Sequence, residues 1–383
     1  MGHIQRRAKD RWRARYVDPD GTERSKTFRR KLDAERFLAN VETDKLRGLY
    51  LDPSLGRVGF ATYAIEWLEA QPVRPGTRHV YDSYLRNWIL PALKGRTLAA
   101  IRPTEIRGLI KKADAGLAPV TVRGIHNLLS TIFASAVADG YIAKNPCSTT
   151  APPKPLRARV VPLEVAHVEA LMNSIQPRCR PMVALGAGCG LRLGEVLGLR
   201  LHRVHFLARE LDVAEQVVLN PGSPPTLAPP KTRRSVRTVP LPSMVASELA
   251  AYLEAYPVRD KDGLLFRSRH GTPLWSSWFY QWVWQPAVIA ADLPPGTRFH
   301  ELRHFYASAL IRSGESVKTV QAALGHATAV ETLETYASLW PDAPERTRAA
   351  VDALFGPAMG DRKQPGFHTA DGLWTASDEA MGL

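Results

Sequence analysis

Cysteine is scarce in this sequence, with three in 383 residues: Cys147, Cys179 and Cys189. An odd number without close-paired spacing excludes a disulfide framework and a cysteine-based zinc knuckle, and fits structural thiols in a reducing cytoplasm. Apolar runs of membrane-span length are absent. The basic start, Met1 to Lys9, has no apolar stretch behind it, so the pattern of a secretory leader is missing as well. Nucleotide-binding loops are also missing. Gly186-Ala-Gly-Cys-Gly-Leu-Arg-Leu-Gly-Glu195 has no glycine at the third position of G-x-G-x-x-G, and no Lys-Ser/Thr follows as in a P-loop. Neither ATP nor a dinucleotide is expected, and no cofactor is assigned.

Negative charge is the minority. Fifty-one Lys and Arg face thirty-seven Asp and Glu, a net of +14, so an acidic polymer is the natural partner. Residues 1–31 hold half of that excess, with eleven basic and four acidic side chains, while 351–383 carry two basic and five acidic ones. In Arg11-Trp-Arg-Ala-Arg-Tyr16 the residues alternate strictly. As a strand this places Arg11, Arg13 and Arg15 on one face and Trp12, Ala14 and Tyr16 on the other. Asp18-Pro-Asp-Gly21 is turn chemistry, and Thr22 to Phe28, with Arg24 and Lys26, can return as a second strand. A helix is expected from an Asp33 cap to Arg47, stopped by Gly48. Such a sheet, backed by one helix, suits a DNA groove; an ordinary solvated hairpin is the alternative.

After a linker at 49–57, the texture from Val58 to Pro146 is helical. Apolar positions recur at helical spacing over Phe60–Ala70, Thr77–Trp88, Thr104–Ala113 and Val120–Asp139. In the last, Val122, Ile125, Leu129, Ile132, Phe133 and Ala136 form one stripe, and Thr121, Arg123, Asn127 and Ser130 lie opposite, facing either a groove or water. Ala151-Pro-Pro-Lys-Pro155 is a stiff, basic linker, and a domain boundary is placed there. With 45% hydrophobic residues, the chain can fill more than one core.

The remaining residues carry the chemistry. Arg192 and Glu195 stand one helical turn apart, where a carboxylate can hold a guanidinium. Pro230 to Pro240 reads as a hairpin arm with Lys231 near its tip. His300-Glu-Leu-Arg-His304 matches H-E-x-x-H, in which two histidines hold zinc and the Glu activates water. A zinc-protease reading, with Glu315, Glu331 or His326 as a third ligand, leaves the basic head, Lys231 and Arg192 unused. The competing reading takes Arg303 as the functional member, His300 beside the same reacting group, and His304 as a packing residue. Leu324-Gly-His326 and Tyr336, ten residues after that histidine, favour it.

Gly-Leu-Arg-Leu-Gly-Glu195, a hairpin Lys231, His-Glu-Leu-Arg-His304, Leu-Gly-His326 and Tyr336 follow one another in the order found in tyrosine recombinases, the phage-integrase family, which this sequence resembles over nearly all of residues 1–350. The resemblance implies a mainly α fold with small β-sheets (α+β). It implies an arm-type DNA-binding domain at 1–50, a helical core-type DNA-binding domain at 58–146 and a catalytic domain at 155–350. Residues 356–383 lie outside it and are expected to be disordered.

The implied activity is site-specific DNA recombination through a 3′-phosphotyrosyl intermediate on Tyr336, without metal. Arg192 and Arg303 would grip the phosphate, Lys231 would protonate the leaving 5′-oxygen, and His300 and His326 would hydrogen-bond the phosphate. His300 would also be a candidate acceptor for the Tyr336 proton, and Glu195 would orient Arg192 or a histidine. Double-stranded DNA at core and arm sites, a homotetramer, a DNA-bending host protein and a directionality factor complete the implied partners. A non-catalytic DNA-binding protein and a type IB topoisomerase are the other DNA readings.

Overall fold

Alternating side chains along residues 3–28 build a three-stranded antiparallel sheet, β1 (His3–Ala8), β2 (Arg11–Val17) and β3 (Glu23–Phe28), in that order. The computed structural model describes residues 2–48, 50–52, 54–154, 160–258, 260, 263–340, 348 and 351–353, with strand assignments alone at 368–370 and 373–375. The sequence reading has two strands here; β1 is the addition. Its Ile4 lies opposite Ala14, and the turn into β2 places Asp10 at a φ of 60°. Between β2 and β3, the buried Asp18 accepts the Thr22 N–H at 2.7 Å, and Gly21 takes a φ of 83° that side chains resist. Helix α1 (Lys31–Leu46) covers one face of the sheet with Ala34, Leu38 and Val41, against Ala14 and Tyr16. It begins before Asp33, so that residue serves as a first-turn acid complementing the helix dipole rather than as the cap.

The helical stretch comprises α2 (Phe60–Ala70), α3 (Pro75–Tyr84), a π-turn at Leu85–Ile89, α4 (Leu90–Leu93), α5 (Pro103–Asp114) and α6 (Pro119–Ala138). Prolines at the first turns of α3, α5 and α6 sit where a missing N–H costs nothing. The α6 stripe is wholly buried, and Phe133 meets Phe60 with ring centroids 5.3 Å apart.

The described chain forms two compact units, Met1–Ala158 with Val217–Leu227, and Arg159–Gln216 with Ala228–Leu383. The second contains α7 (Val165–Ser174), α8 (Arg180–Cys189), α9 (Leu193–Leu197), β4 (Val204–His205) and β5 (Glu210–Val213). Two short strands, β6 (Gln216–Val218) and β7 (Thr226–Ala228), pair with each other, and β8 (Arg237–Pro240) joins β4 and β5 in the order β4-β5-β8. Lys231 therefore lies on the link between two sheets, not near the tip of a hairpin. Pro229 and Pro230 have no N–H to extend the β7 ladder, so the chain leaves it there. The helices α10 (Ser243–Ala255), α11 (Ser276–Phe279), a π-turn at Tyr280–Trp284, α12 (Gln285–Ala290), α13 (His300–Arg312), α14 (Val317–Leu324) and α15 (Ala329–Tyr336) follow.

Helix α8 is the spine of this unit and packs on both α10 and α13. The approach to α13 is too close for side chains: a Cβ on Gly186 would stand 2.8 Å from Leu302 Cδ1. In the tail, the described residues form two antiparallel strands, β9 (His368–Ala370) and β10 (Leu373–Thr375), where the sequence reading expects disorder. The rest of 356–383 lies outside the described residues. Among the described residues, no helix is long and apolar enough to cross a membrane.

Gly190 closes α8 at a φ of 65°, and a Cβ there would lie 2.4 Å from Tyr306 Cδ1. Gly190→Ala combines the left-handed penalty with a steric clash, and a loss of about 1–3 kcal/mol or more is expected. Urea unfolding of the two proteins measures it.

Candidate active site

All seven residues assigned to chemistry lie in the second unit, on the α8–α9 junction, the β7–β8 link, α13 and the segment from α14 to α15. Arg192 caps α9, and Glu195 sits one turn inside it. The Glu195 carboxylate accepts the Arg192 backbone N–H at 3.0 Å through Oε2 and Arg192 Nη1 at 3.0 Å through Oε1. It also accepts two bonds from Arg237, Nη1 to Oε1 at 3.2 Å and Nη2 to Oε2 at 3.0 Å. Burial alone would push this carboxyl up, but the two guanidiniums outweigh it and hold Glu195 below its ordinary range.

Arg237 is the residue the sequence reading missed. A strand arginine in a basic segment reads as solvated, yet its side chain is 6% exposed. Its Nε donates to Ala323 O at 2.9 Å, so it ties β8 to the end of α14 as well as to α9. The turn that follows is fitted to it. Gly325 has a φ of 66°, and a Cβ there would stand 3.1 Å from Arg237 Cδ. The only hint in the sequence was the alternation Ser235-Val-Arg237-Thr-Val239, which puts Arg237 on the same strand face as the buried Val239.

Arg303 is 1% exposed, a charge almost wholly removed from water. Its Nη1 donates to Gly190 O at 2.7 Å and its Nη2 to Leu324 O, while its Nε has no partner among the described residues. Burial, and then repulsion from Arg192 and Arg237, lowers its pKa to about 9, so the group keeps its proton at neutral pH. Three guanidiniums thus converge with one carboxylate between them. The local excess of positive charge and the spare buried donor both call for an anion.

Tyr336 ends α15 inside an apolar cluster with Tyr306, Ile311, Val320 and Leu324. Burial drives its phenol up to about 12, against the pull of Arg303. Its hydroxyl is 2.7 Å from His304 Nδ1, and its ring lies parallel to that of His326 at 6.3 Å. His326 Nδ1 meets Thr332 Oγ1 at 2.9 Å, and its Nε2 lies 3.9 Å from Glu331 Oε1. His300 stacks edge to face on His304 at 4.7 Å. Burial, followed by nearby cationic and imidazole groups, brings His300 down to about 4 and His326 to about 3, so both are neutral at pH 7. Lys231 and Arg192 line a cavity of about 460 Å³ with Gln216, Thr232, Ser235 and Glu331. Among the described residues, no three His, Cys, Asp or Glu side chains gather as a metal site would require.

The residues expected to touch DNA lie in the first unit, and the register of its sheet divides them. Arg11, Arg13 and Arg15 share the face away from α1, whereas Arg24 pairs with Tyr16 and Lys26 with Ala14, on the helix-covered face. Arg24 is held by Asp18 at 3.0 Å and also bonds Asp52, and Lys26 lies over the rings of Phe28 and Phe37. Both have structural roles that strand alternation dictates once the register is known. On α6, Arg123 and Asn127 are exposed and Thr121 is half-buried.

Arg237→Ala leaves the buried Glu195 with one partner. A loss of about 3–5 kcal/mol is expected at neutral pH, shrinking as the pH falls and Glu195 takes up a proton. Arg237→Lys should recover only part, since an ammonium cannot span both carboxylate oxygens. Denaturant titration at two pH values checks both.

Three family models match this chain: the phage integrase family over residues 162–341, the phage integrase N-terminal domain over 1–47, and the phage integrase N-terminal SAM-like domain over 59–113. The chain is 30% identical over 278 residues to tyrosine recombinase XerC of Mesorhizobium japonicum, a match spanning 64% of this chain and 81% of the relative. It is 27% identical over 310 residues to a XerC-like tyrosine recombinase of Caldanaerobacter subterraneus subsp. tengcongensis, spanning 74% and 79%. Among solved structures, the fold matches the Tn1549 transposon integrase in complex with a circular intermediate DNA, with a TM-score of 0.65, 21% identity, and coverage of 77% of this chain and 98% of that one. It also matches a lambda integrase tetramer bound to a Holliday junction, with a TM-score of 0.54, 20% identity, and coverage of 86% and 96%. With its fold, its ordered motifs and these matches in agreement, the chain belongs to the phage integrase family and is a tyrosine-type site-specific DNA recombinase.

Proposed function

We propose that Tyr336 is the nucleophile of this recombinase and that Arg192, Lys231, His300, Arg303 and His326 handle the phosphate it attacks. The observation that carries the reading is the buried, uncompensated positive charge around Tyr336, with one donor of Arg303 left unpaired. A phosphorane in flight carries additional negative charge, and fixed guanidinium forks stabilise it without reorganising. Arg192 and Arg303 grip the non-bridging oxygens. Lys231, at the cavity edge, gives a proton to the departing 5′-oxygen. Neutral His300 and His326 each have one N–H to offer the phosphate, while Glu195 and Arg237 fix Arg192 in place. The phosphotyrosyl bond keeps the free energy of the phosphodiester, so rejoining to a new 5′-hydroxyl requires no ATP.

The substrate is double-stranded DNA carrying core-type and arm-type attachment sites. The face with Arg11, Arg13 and Arg15 would read the arm site, and the exposed side of α6 with Thr121, Arg123 and Asn127 the core site. Integration or excision of a phage or mobile element in the bacterial cytoplasm is the task. It would be carried out by a homotetramer with a DNA-bending host protein and a directionality factor, in keeping with the lambda integrase tetramer on a junction. We assign the three parts to 1–50, 58–146 and 155–350. The zinc-protease reading is disfavoured because it leaves Arg192, Lys231 and Arg303 without a role.

A nicked suicide substrate should trap a covalent protein–DNA adduct that maps to Tyr336 and disappears in Tyr336→Phe. An adduct that survives the substitution would overturn the assignment. Cleavage should proceed undiminished in EDTA; loss of activity with the chelator, restored by zinc, would favour the protease-type site.

A further inference from the structure

We propose that His304, rather than His300, takes the proton from Tyr336 when the phosphodiester is attacked. The inference rests on Tyr336 being the nucleophile, and adds a catalytic residue that the motif reading set aside as packing. His304 is the group that touches the reacting oxygen, Nδ1 to Oη at 2.7 Å. The two rings stand edge to face with centroids 5.4 Å apart, so the contact is held in a defined orientation. His300 stands one helical turn earlier on α13, beside the His304 ring.

Protonation states allow the bond to run from phenol to imidazole. The phenol is pushed up and stays protonated, and His304 is pushed down by burial and by Arg303, so it is neutral. For transfer, Tyr336 O–H is the donor and Nδ1 the acceptor, in the tautomer with its hydrogen on Nε2. His300 is the poorer base of the pair, since Arg192 and His304 oppose its protonation in addition to burial and Arg303. His304 is too weak to hold the proton before attack, so transfer accompanies bond formation, as general-base catalysis demands.

As Oη bonds to phosphorus, the Tyr336 O–H bond breaks and its proton passes to His304 Nδ1. The bond from phosphorus to the 5′-oxygen breaks in turn, and that oxygen takes a proton from the Lys231 ammonium. In rejoining, an incoming 5′-hydroxyl returns a proton to the Lys231 amine and the His304 imidazolium returns one to Tyr336.

The test uses His304→Asn, whose amide can sit near the Nδ1 position and keep a hydrogen bond without accepting the proton. With a suicide substrate, adduct formation should slow by about a hundredfold or more while DNA affinity stays at the wild-type value. A substrate with a 5′-bridging sulfur, whose thiolate leaves without an acid, should rescue Lys231→Ala but not His304→Asn. Replacing Tyr336 by a more acidic fluorinated tyrosine should shrink the His304→Asn deficit by about tenfold or more. A purely structural role would give the same deficit with either nucleophile. Equal deficits, or cleavage by His304→Asn within a few-fold of wild type, would overturn the proposal. If His304→Asn fails to bind DNA, His304→Gln is subjected to the same comparisons. An adduct formed by Tyr336→Phe would instead count against the nucleophile on which the inference rests.

Discussion

Arg303 is the constraint around which the second unit is organised. A guanidinium removed from water is costly unless its donors are engaged. Here one N–H goes to the carbonyl that ends α8 and another to the carbonyl that ends α14. The first carbonyl is that of Gly190 itself and the second precedes Gly325, and the two glycines have φ values of 65° and 66°. The helix ends present their orphan acceptors to one buried cation because glycine lets the chain turn away at once. Arg192 follows the first turn and His326 the second, so the geometry that satisfies Arg303 also delivers its neighbours.

Glu195 is the counterweight. Without it, the repulsion of Arg192 and Arg237 on Arg303 would have no carboxylate to offset it. With it, part of the charge is neutralised and a net excess remains. That excess favours an anion, which a neutral enclosure would not. The same surroundings keep Tyr336 protonated and buried, and place a neutral imidazole on its hydroxyl. The hydroxyl proposed as the nucleophile is thus held in a state that resists ionisation.

Much of this was legible in advance for a definite reason. Arg192, Lys231, His300, Arg303, His326 and Tyr336 could be proposed together because their motifs follow one another in the order of the family the sequence resembles. The α6 stripe was legible because a period of 3.6 has one reading over twenty residues. Arg237 was not legible, since a strand position reveals a face but not which partner that face meets. Arg24 and Lys26 looked equivalent to Arg11, Arg13 and Arg15 until pairing set them on the opposite side. His304 looked like packing because the motif spacing gives its helix position and not the hydroxyl it faces.

By itself, the sequence determined the family and the mainly α fold with small sheets, because these depend on the order of its motifs and on periodicity. Only the tertiary structure decided which carboxylate oxygen answers which guanidinium, that Lys231 stands on a link between sheets, and that His304 rather than His300 touches Tyr336. The Arg237–Glu195 and His304–Tyr336 contacts join residues 42 and 32 positions apart. They are set by the packing of α8 on α13 and by the two glycine turns, and no local rule carries information across such separations.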